Sequence, residues 1–156
     1  MAKIIVALDA SDCLSAAPGV MPWPKKASDF AWFRECTLNS TVIMGGRTYR
    51  SMPQLDKRRV LVVSSQPQQE LFAEVCPSFE AALNRAPHDV WIAGGAQIYR
   101  QAIETEHVTD LVITRMSGYV KVPNHASLYF SSYKKDFRFD SYILHDKFVI
   151  ERWVRI

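Results

Sequence analysis

Val42-Ile43-Met44-Gly45-Gly46-Arg47-Thr48-Tyr49-Arg50 is echoed later in the chain by Trp91-Ile92-Ala93-Gly94-Gly95-Ala96-Gln97-Ile98-Tyr99-Arg100. Each stretch runs from an apolar strand through a glycine pair into a helix that carries Tyr-Arg one turn in. A helix start offers free N–H groups and the positive end of the helix dipole, and glycine lets backbone approach a phosphate closely. Two such starts on neighbouring parallel strands would hold a pyrophosphate between them, at the carboxyl edge of the sheet. A tight turn with no ligand is the other reading of either pair taken alone. Neither pair matches G-x-G-x-x-G, so an ordinary Rossmann domain is excluded. Arg47 beside the first pair, with Ser64 and Ser65 ending the next strand, suits the extra 2′-phosphate of NADPH over NADH.

Working outward, Lys3 to Leu8 is a β-branched apolar run, predicted as a strand buried on both faces. Asp9 to Lys26 is irregular, with Pro18, Gly19, Pro22 and Pro24, and loops of this length are usually functional or disordered. A helix is predicted over about Ser28 to Asn39, with Ser28 as N-cap. Strands follow at Thr41–Met44, Arg59–Ser64, Val90–Ala93 and Val108–Met116. They are separated by helices at Arg47–Met52, Ser78–Ala86 (with a Ser cap) and Ala96–Ile103. Phe137–His145 and Lys147–Arg155 alternate as a terminal hairpin about His145-Asp146. The alternation predicts an α/β fold with a mostly parallel central sheet, an antiparallel C-terminal hairpin and helices on both faces. No linker interrupts it, so residues 1–156 are expected to form a single domain.

With 48% apolar and 22% charged residues among 156, the chain has enough apolar surface for one core. A net charge of +3 is too scattered for a nucleic-acid stripe. Cys13, Cys36 and Cys76 show no metal or disulfide spacing, which favours a reducing compartment and no metal. No run is long enough to cross a bilayer, and the N-terminus turns polar at Asp9, too early for a secretory signal. A cytoplasmic location is expected. His88, His107, His125 and His145 fall in polar or turn-like segments and are expected at the surface.

Asp29 is the acid that stands out. It starts a helix among Phe30, Trp32 and Phe33, just after Met21-Pro22-Trp23-Pro24. The helix start lowers its pKa and aromatic desolvation raises it. If desolvation wins, Asp29 is a proton donor or relay poised nearer neutrality; otherwise it is an ordinary acidic residue complementing the dipole.

Met21-Pro22-Trp23, Asp29-Phe30-Ala31-Trp32-Phe33, Thr37-Leu38-Asn39, Val42-Ile43-Met44-Gly45, Thr48 and Val63-Ser64-Ser65-Gln66 closely resemble bacterial dihydrofolate reductase. Ala93-Gly94-Gly95, Ile98-Tyr99 and Leu111-Val112-Ile113-Thr114 continue the resemblance, which is collinear from about residue 3 to 116 and weak beyond Ser117. It implies NADPH-dependent reduction of 7,8-dihydrofolate to tetrahydrofolate in a single dihydrofolate reductase-like domain, with antifolates as further ligands and a monomer as the family-like default.

Carried over residue by residue, the resemblance makes Asp29 the pocket carboxylate that binds the pterin and assists protonation at nitrogen-5. Thr114 would bond Asp29 and the pterin through water, and Trp23 would hold a water near the same carboxylate. The Ile5 and Ala93 carbonyls would face the pterin. Phe30, Phe33, Met52, Leu55 and Tyr99 would line the substrate site, and Arg58 would pair with the glutamate-tail carboxylate. Ala7, Leu14, Ser15, Gly19, Val20, Met21, Gly45, Gly46, Arg47, Thr48, Ser64, Ser65, Gly94, Gly95, Ala96, Gln97 and Ile98 would hold NADPH. A cis peptide would fall at Gly94-Gly95. The Asp9–Lys26 loop would close over the nicotinamide.

The sequence departs from the family pattern at several points. Ser15-Ala16 replaces a branched apolar residue and Gly, Gly46 replaces a common Arg or Lys, and Gln97 replaces a second phosphate-binding Arg. Ala93 replaces a larger residue and Ala96 a third Gly. One residue is inserted between Trp23 and Asp29, and Ser117–Phe130 lacks the acid-Thr-x-Phe-Pro pattern. A pyrimidine reductase of riboflavin synthesis is one alternative, disfavoured by Met-Pro-Trp, Asp29 and Arg58. A non-catalytic folate or nucleotide binder, or a structural protein on the same fold, is the other.

Overall fold

The computed structural model describes residues 1–8, 12–15, 27–65, 73–86, 88–116, 128–129, 132–145 and 148–156, with side-chain surroundings for all of these except 13–15, 27–30 and 128–129. In chain order the elements are β1 (Ala2–Leu8), β2 (Cys13–Ser15), α1 (Ala27–Thr37), β3 (Thr41–Gly45), α2 (Gly46–Ser51), β4 (Arg59–Val63) and β5 (Glu74–Cys76). They continue with α3 (Phe79–Arg85), β6 (Val90–Ile92), α4 (Ala96–Ile103), β7 (Val108–Arg115), β8 (Leu128–Tyr129), a 3-10 turn (Ser132–Lys135), β9 (Phe137–His145) and β10 (Phe148–Arg155).

Eight strands form one sheet in the order β5-β4-β3-β6-β1-β7-β10-β9. From β5 to β7 every pairing is parallel. β10 runs antiparallel to β7 and β9, which completes the expected hairpin edge. β6 lies between β3 and β1, so the two strands that run into glycine pairs are immediate neighbours.

Period-two alternation distributes the apolar residues to two cores. Ile4, Val6, Leu8, Ile43, Leu61, Ile92, Leu111 and Ile113 face α3 and α4. Val42, Met44, Val60 and Val62 face the other way, against Phe33 of α1 and Tyr49 of α2. On that second face Met116, Phe148 and Ile150 pack with Ala7, Trp32 and Val112. Helices therefore cover both faces, and α1 and α2 share the face that carries the proposed substrate side.

Local signals explain most element ends. Ser78 Oγ accepts from Ala81 N at 3.1 Å and caps α3 as expected. α1 departs from expectation at both ends: it spans Ala27–Thr37, so Ser28 lies inside the helix. It stops where Asn39 turns left-handed at φ 61°, a conformation that Asn tolerates and that commonly ends helices. His145 is also a correction: it ends β9, its ring lies 4.7 Å from that of Trp32, and its Nε2 is 3.1 Å from Glu35 Oε2. The aromatic packing and the contact with Glu35 hold it half-buried. His88 and His107 are exposed; His125 lies outside the described residues.

The hairpin is fastened by charge. Arg152 Nη2 reaches Asp110 Oδ2 at 2.7 Å, joining β10 to β7. Arg155 Nη2 donates to the Ile103 and Thr105 carbonyls at 3.0 and 2.8 Å, satisfying acceptors at the end of α4. Asp12, 3% exposed, pairs with Arg115 and Lys134.

Two stability measurements follow. Ile43 is fully buried between the glycine-bearing strands and the α4 layer, so Ile43→Ala is expected to lower unfolding free energy by about 2–5 kcal/mol in urea titrations. Burial alone would raise the Asp12 carboxyl, but hydrogen bonds from Arg115, Lys134 and Tyr133 outweigh it and hold the pKa below the usual aspartate value. Such a group stabilises the fold above its unfolded pKa of about 3.9, and that stability is lost as pH falls through the lower folded value. Urea midpoints taken from about pH 5 to about pH 2 should therefore fall less steeply in Asp12→Asn than in wild type.

Candidate active site

The two glycine turns meet at the rim of the sheet. Gly45 N donates to Gly94 O at 2.8 Å, and Ala93 N donates to Ile43 O at 2.9 Å. The Gly94-Gly95 peptide is cis, as the resemblance implied, and Gly94 has φ 114°, a region that favours glycine. A Cβ on Gly94 would lie 3.2 Å from Tyr99 Oη, and one on Gly95 3.3 Å from Thr48 Oγ1. Both glycines of the second pair are therefore packed closely against the protein's own side chains. Gly45 and Gly95 are the N-caps of α2 and α4, and neither helix receives a side-chain cap. At the start of α4 the first N–H groups are left for solvent or a ligand. Ala96 and Ile98 lie at this start, with Gln97 exposed beside them. On α2, Gly46 is the first residue and Arg47 is exposed. Ser64 and Ser65 follow β4, and Ser64 N donates to Cys76 O at 3.0 Å.

The second-face core supplies the opposite wall. Ile5, 6% exposed, alternates with Ile4 and Val6, so its side chain lies toward α1. Its carbonyl accepts from Tyr99 Oη at 2.8 Å in a buried bond spanning α4 and β1. Ala7 is paired with Thr114 across β1 and β7, and Thr114 is 2% exposed. Phe33, Met52, Leu55 and Ala93 are brought together against Val42, Met44, Val60 and Val62.

Arg58 sits at the outer end of this wall with its side chain 4% exposed. Its Nε donates to Asp56 O at 3.0 Å and its Nη1 to Thr37 Oγ1 at 3.2 Å. Thr37 Oγ1 in turn donates to Phe33 O at 2.7 Å. Burial, and then repulsion from Arg34, holds the Arg58 pKa below the usual arginine value, with Asp56 opposing. The guanidinium stays charged even so. Thr37 and Asp56 were not read from the sequence as part of the site. A Thr in an otherwise apolar helical stripe was the available signal.

Asp29 and Phe30 lie in the first turns of α1, and their side-chain surroundings lie outside the described residues, as do Gly19, Val20, Met21 and Trp23 entirely. Leu14 and Ser15 are placed by backbone alone, in β2. A shallow apolar cavity of about 220 Å³, lined by Trp32, Cys36, Trp91, Val112, Ile143 and Ile150 among others, lies between α1 and the hairpin, away from the glycine turns. Burial, with Glu35 second, pushes the Cys36 thiol up to about 12, so it remains protonated.

A family model described as "Dihydrofolate reductase" matches residues 1–147. Dihydrofolate reductase of Neisseria meningitidis is 40% identical over 122 residues, covering 74% of this chain and 74% of that protein. "Dihydrofolate reductase type 3" of Salmonella typhimurium is 33% identical over 130 residues, 80% of each. Among solved structures, "Dihydrofolate reductase from Enterococcus faecalis complexed with NADP(H) and RAB-propyl" shares the fold at a TM-score of 0.81, with 20% identity over 99% of this chain and 96% of that one. With the family model covering nearly all of its length, the chain belongs to the dihydrofolate reductase family.

Proposed function

We propose that this protein catalyses NADPH-dependent reduction of 7,8-dihydrofolate to 5,6,7,8-tetrahydrofolate, as a cytoplasmic monomer that also binds antifolates. Family membership supports the reaction. The structural observation that carries it is the junction of the glycine turns, with Gly45 N 2.8 Å from Gly94 O, beside the wall of Ile5, Phe33, Met52 and Leu55. Free thiols at Cys36 and Cys76 suit a reducing compartment. Among the described residues no helix is long and apolar enough to cross a membrane.

The residues present fit the cofactor. Side chains at Gly94 and Gly95 would crowd Tyr99 and Thr48, and α4 begins uncapped beside them. In this reading the N–H groups of Ala96, Gln97 and Ile98 face the pyrophosphate. Thr48 stands across from them, and Arg47, Ser64 and Ser65 meet the 2′-phosphate. When bound, NADPH supplies the hydride.

The chain's own residues then set up the acceptor. Asp29 binds the pterin amino group and ring nitrogen and, with a water held by Trp23, assists protonation at nitrogen-5. Thr114, buried beside Ala7, steadies that arrangement. Tyr99 donates to the Ile5 carbonyl at 2.8 Å and holds that strand against α4. Phe30, Phe33, Met52 and Leu55 hold the apolar rings. Arg58 holds the glutamate tail, its fork pre-set by Thr37 and Asp56 so that little rotamer freedom is lost on binding.

NADPH oxidation in the presence of dihydrofolate tests the proposal. Turnover is expected; thermal shifts with NADPH and methotrexate but no turnover would mean a binder instead. Asp29→Asn should lose most turnover at neutral pH and recover part of it as pH falls, because solution acid replaces the missing carboxyl. An unchanged rate would remove Asp29 from the chemistry. Arg58→Lys should raise the dihydrofolate KM roughly tenfold with a smaller change in kcat, because a point charge cannot reproduce the bidentate fork.

A further inference from the structure

Asp12 is a buried acid that the reaction does not use. It is 3% exposed and left-handed, with φ 63°. Its Oδ1 accepts from Arg115 Nη1 at 2.6 Å and from Tyr133 Oη at 3.1 Å. Its Oδ2 lies 3.0 Å from Lys134 Nζ. Arg115 also donates from Nη2 to Tyr133 Oη at 3.0 Å and from Nε to Glu151 Oε1 at 3.1 Å. Glu151 Oε1 accepts in addition from Trp153 Nε1 at 2.9 Å. One carboxylate thus joins the link after β1, the end of β7 and the 3-10 turn, and through Arg115 reaches β10.

The location gives this cluster a use. Asp12 immediately precedes β2, and Tyr133 and Lys134 lie in the turn shortly after β8. Among the described residues β2 and β8 pair only with each other, as a small two-stranded sheet. Both of its strands therefore lead to partners in the same ion cluster, and Arg115 fixes that cluster to the rim residue after Thr114. Compared with well-packed apolar side chains a buried pair of this kind gains little net stability, so what distinguishes it is the geometry it holds.

We propose that Asp12 is a positioning residue for the cofactor: through Arg115, Tyr133 and Lys134 it clamps β2, with Leu14 and Ser15, at the rim of the main sheet. The inference rests on the cofactor reading above. Without the clamp β2 occupies several positions, only a fraction can receive NADPH, and the apparent Kd rises in inverse proportion to that fraction. The pterin wall, built on α1, α2 and the strands, is untouched.

Asp12→Asn is an informative variant, because Asn tolerates the left-handed backbone equally well while the charge is lost and one acceptor oxygen becomes an NH2 donor. NADPH Kd by fluorescence titration and KM for both substrates are the readouts. Asp12→Asn should raise NADPH Kd and KM about tenfold, and Tyr133→Phe about threefold, while the dihydrofolate KM and the methotrexate-induced thermal shift stay within about twofold. An unchanged NADPH Kd, or equal losses for both substrates, overturns the clamp. If Asp12→Asn does not fold, Tyr133→Phe decides by the same criteria. A wild-type protein that binds NADPH but does not turn over dihydrofolate overturns the proposed reaction, and the NADPH titration still judges the clamp. No NADPH binding by wild type overturns both.

Discussion

The bond from Gly45 N–H to the Gly94 carbonyl is the constraint on which the rest of the site depends. It exists because β6 inserts between β1 and β3, placing two strand-to-helix turns side by side although one precedes the other by almost a third of the chain. Gly94 adopts φ 114°, which favours glycine, and a Cβ at either position of the second pair would press on Tyr99 or Thr48. The same packing brings Tyr99 under the rim, where its hydroxyl reaches Ile5. One backbone contact therefore fixes the start of α4, the orientation of a rim carbonyl and the distance between two helix starts. The fully buried layer beneath, with Ile43 and Ile92 paired across the same two strands, keeps that contact from opening.

Charge does its positioning on the two flanks of this centre. On one flank Arg58 is buried in a nest of Thr37, Asp56 and the Phe33 ring. On the other, Arg115 is enclosed by Asp12, Glu151 and Tyr133. Burial and Arg115 push the Tyr133 hydroxyl in opposite directions, burial wins, and the phenol stays protonated and able to donate. The two arginines differ in use. Arg58 lies at the outer end of an apolar wall with Asp56 beside it, whereas Arg115 is held between two carboxylates, Asp12 and Glu151.

The parts of this architecture set by local chemistry were legible in the sequence. The paired Val-Ile-Met-Gly-Gly and Trp-Ile-Ala-Gly-Gly runs predicted neighbouring parallel strands, Ser78 predicted its cap, and the alternation in Phe137–Arg155 predicted the hairpin. What escaped was set by distant partners. β5 and β8 have three and two residues, too few to carry a period, and exist only because β4 and β2 pair with them. Ser28 looked like a cap, but the helix begins one residue earlier. His145 looked like a turn residue until Trp32 and Glu35 of α1 were seen beside it. Nothing in spacing links Asp12 to Arg115, which meet across 103 positions. Of the site, Phe33, Met52 and Leu55 were named together with Phe30 from the family resemblance and do pack on one cluster, while the Thr37–Asp56 support of Arg58 was not anticipated.

The grip of β10 on the sheet has a consequence for synthesis. β10 is an internal strand, wedged between β7 and β9, and it follows both of them in the chain. Until it clears the ribosome, Asp110 lacks Arg152 and the carbonyls ending α4 lack Arg155. The nascent chain can order its parallel strands early, but α4 gains its far anchor only once β10 has been made. A stalled or prematurely terminated polypeptide would present a half-built rim, open to chaperones and proteases rather than to substrate.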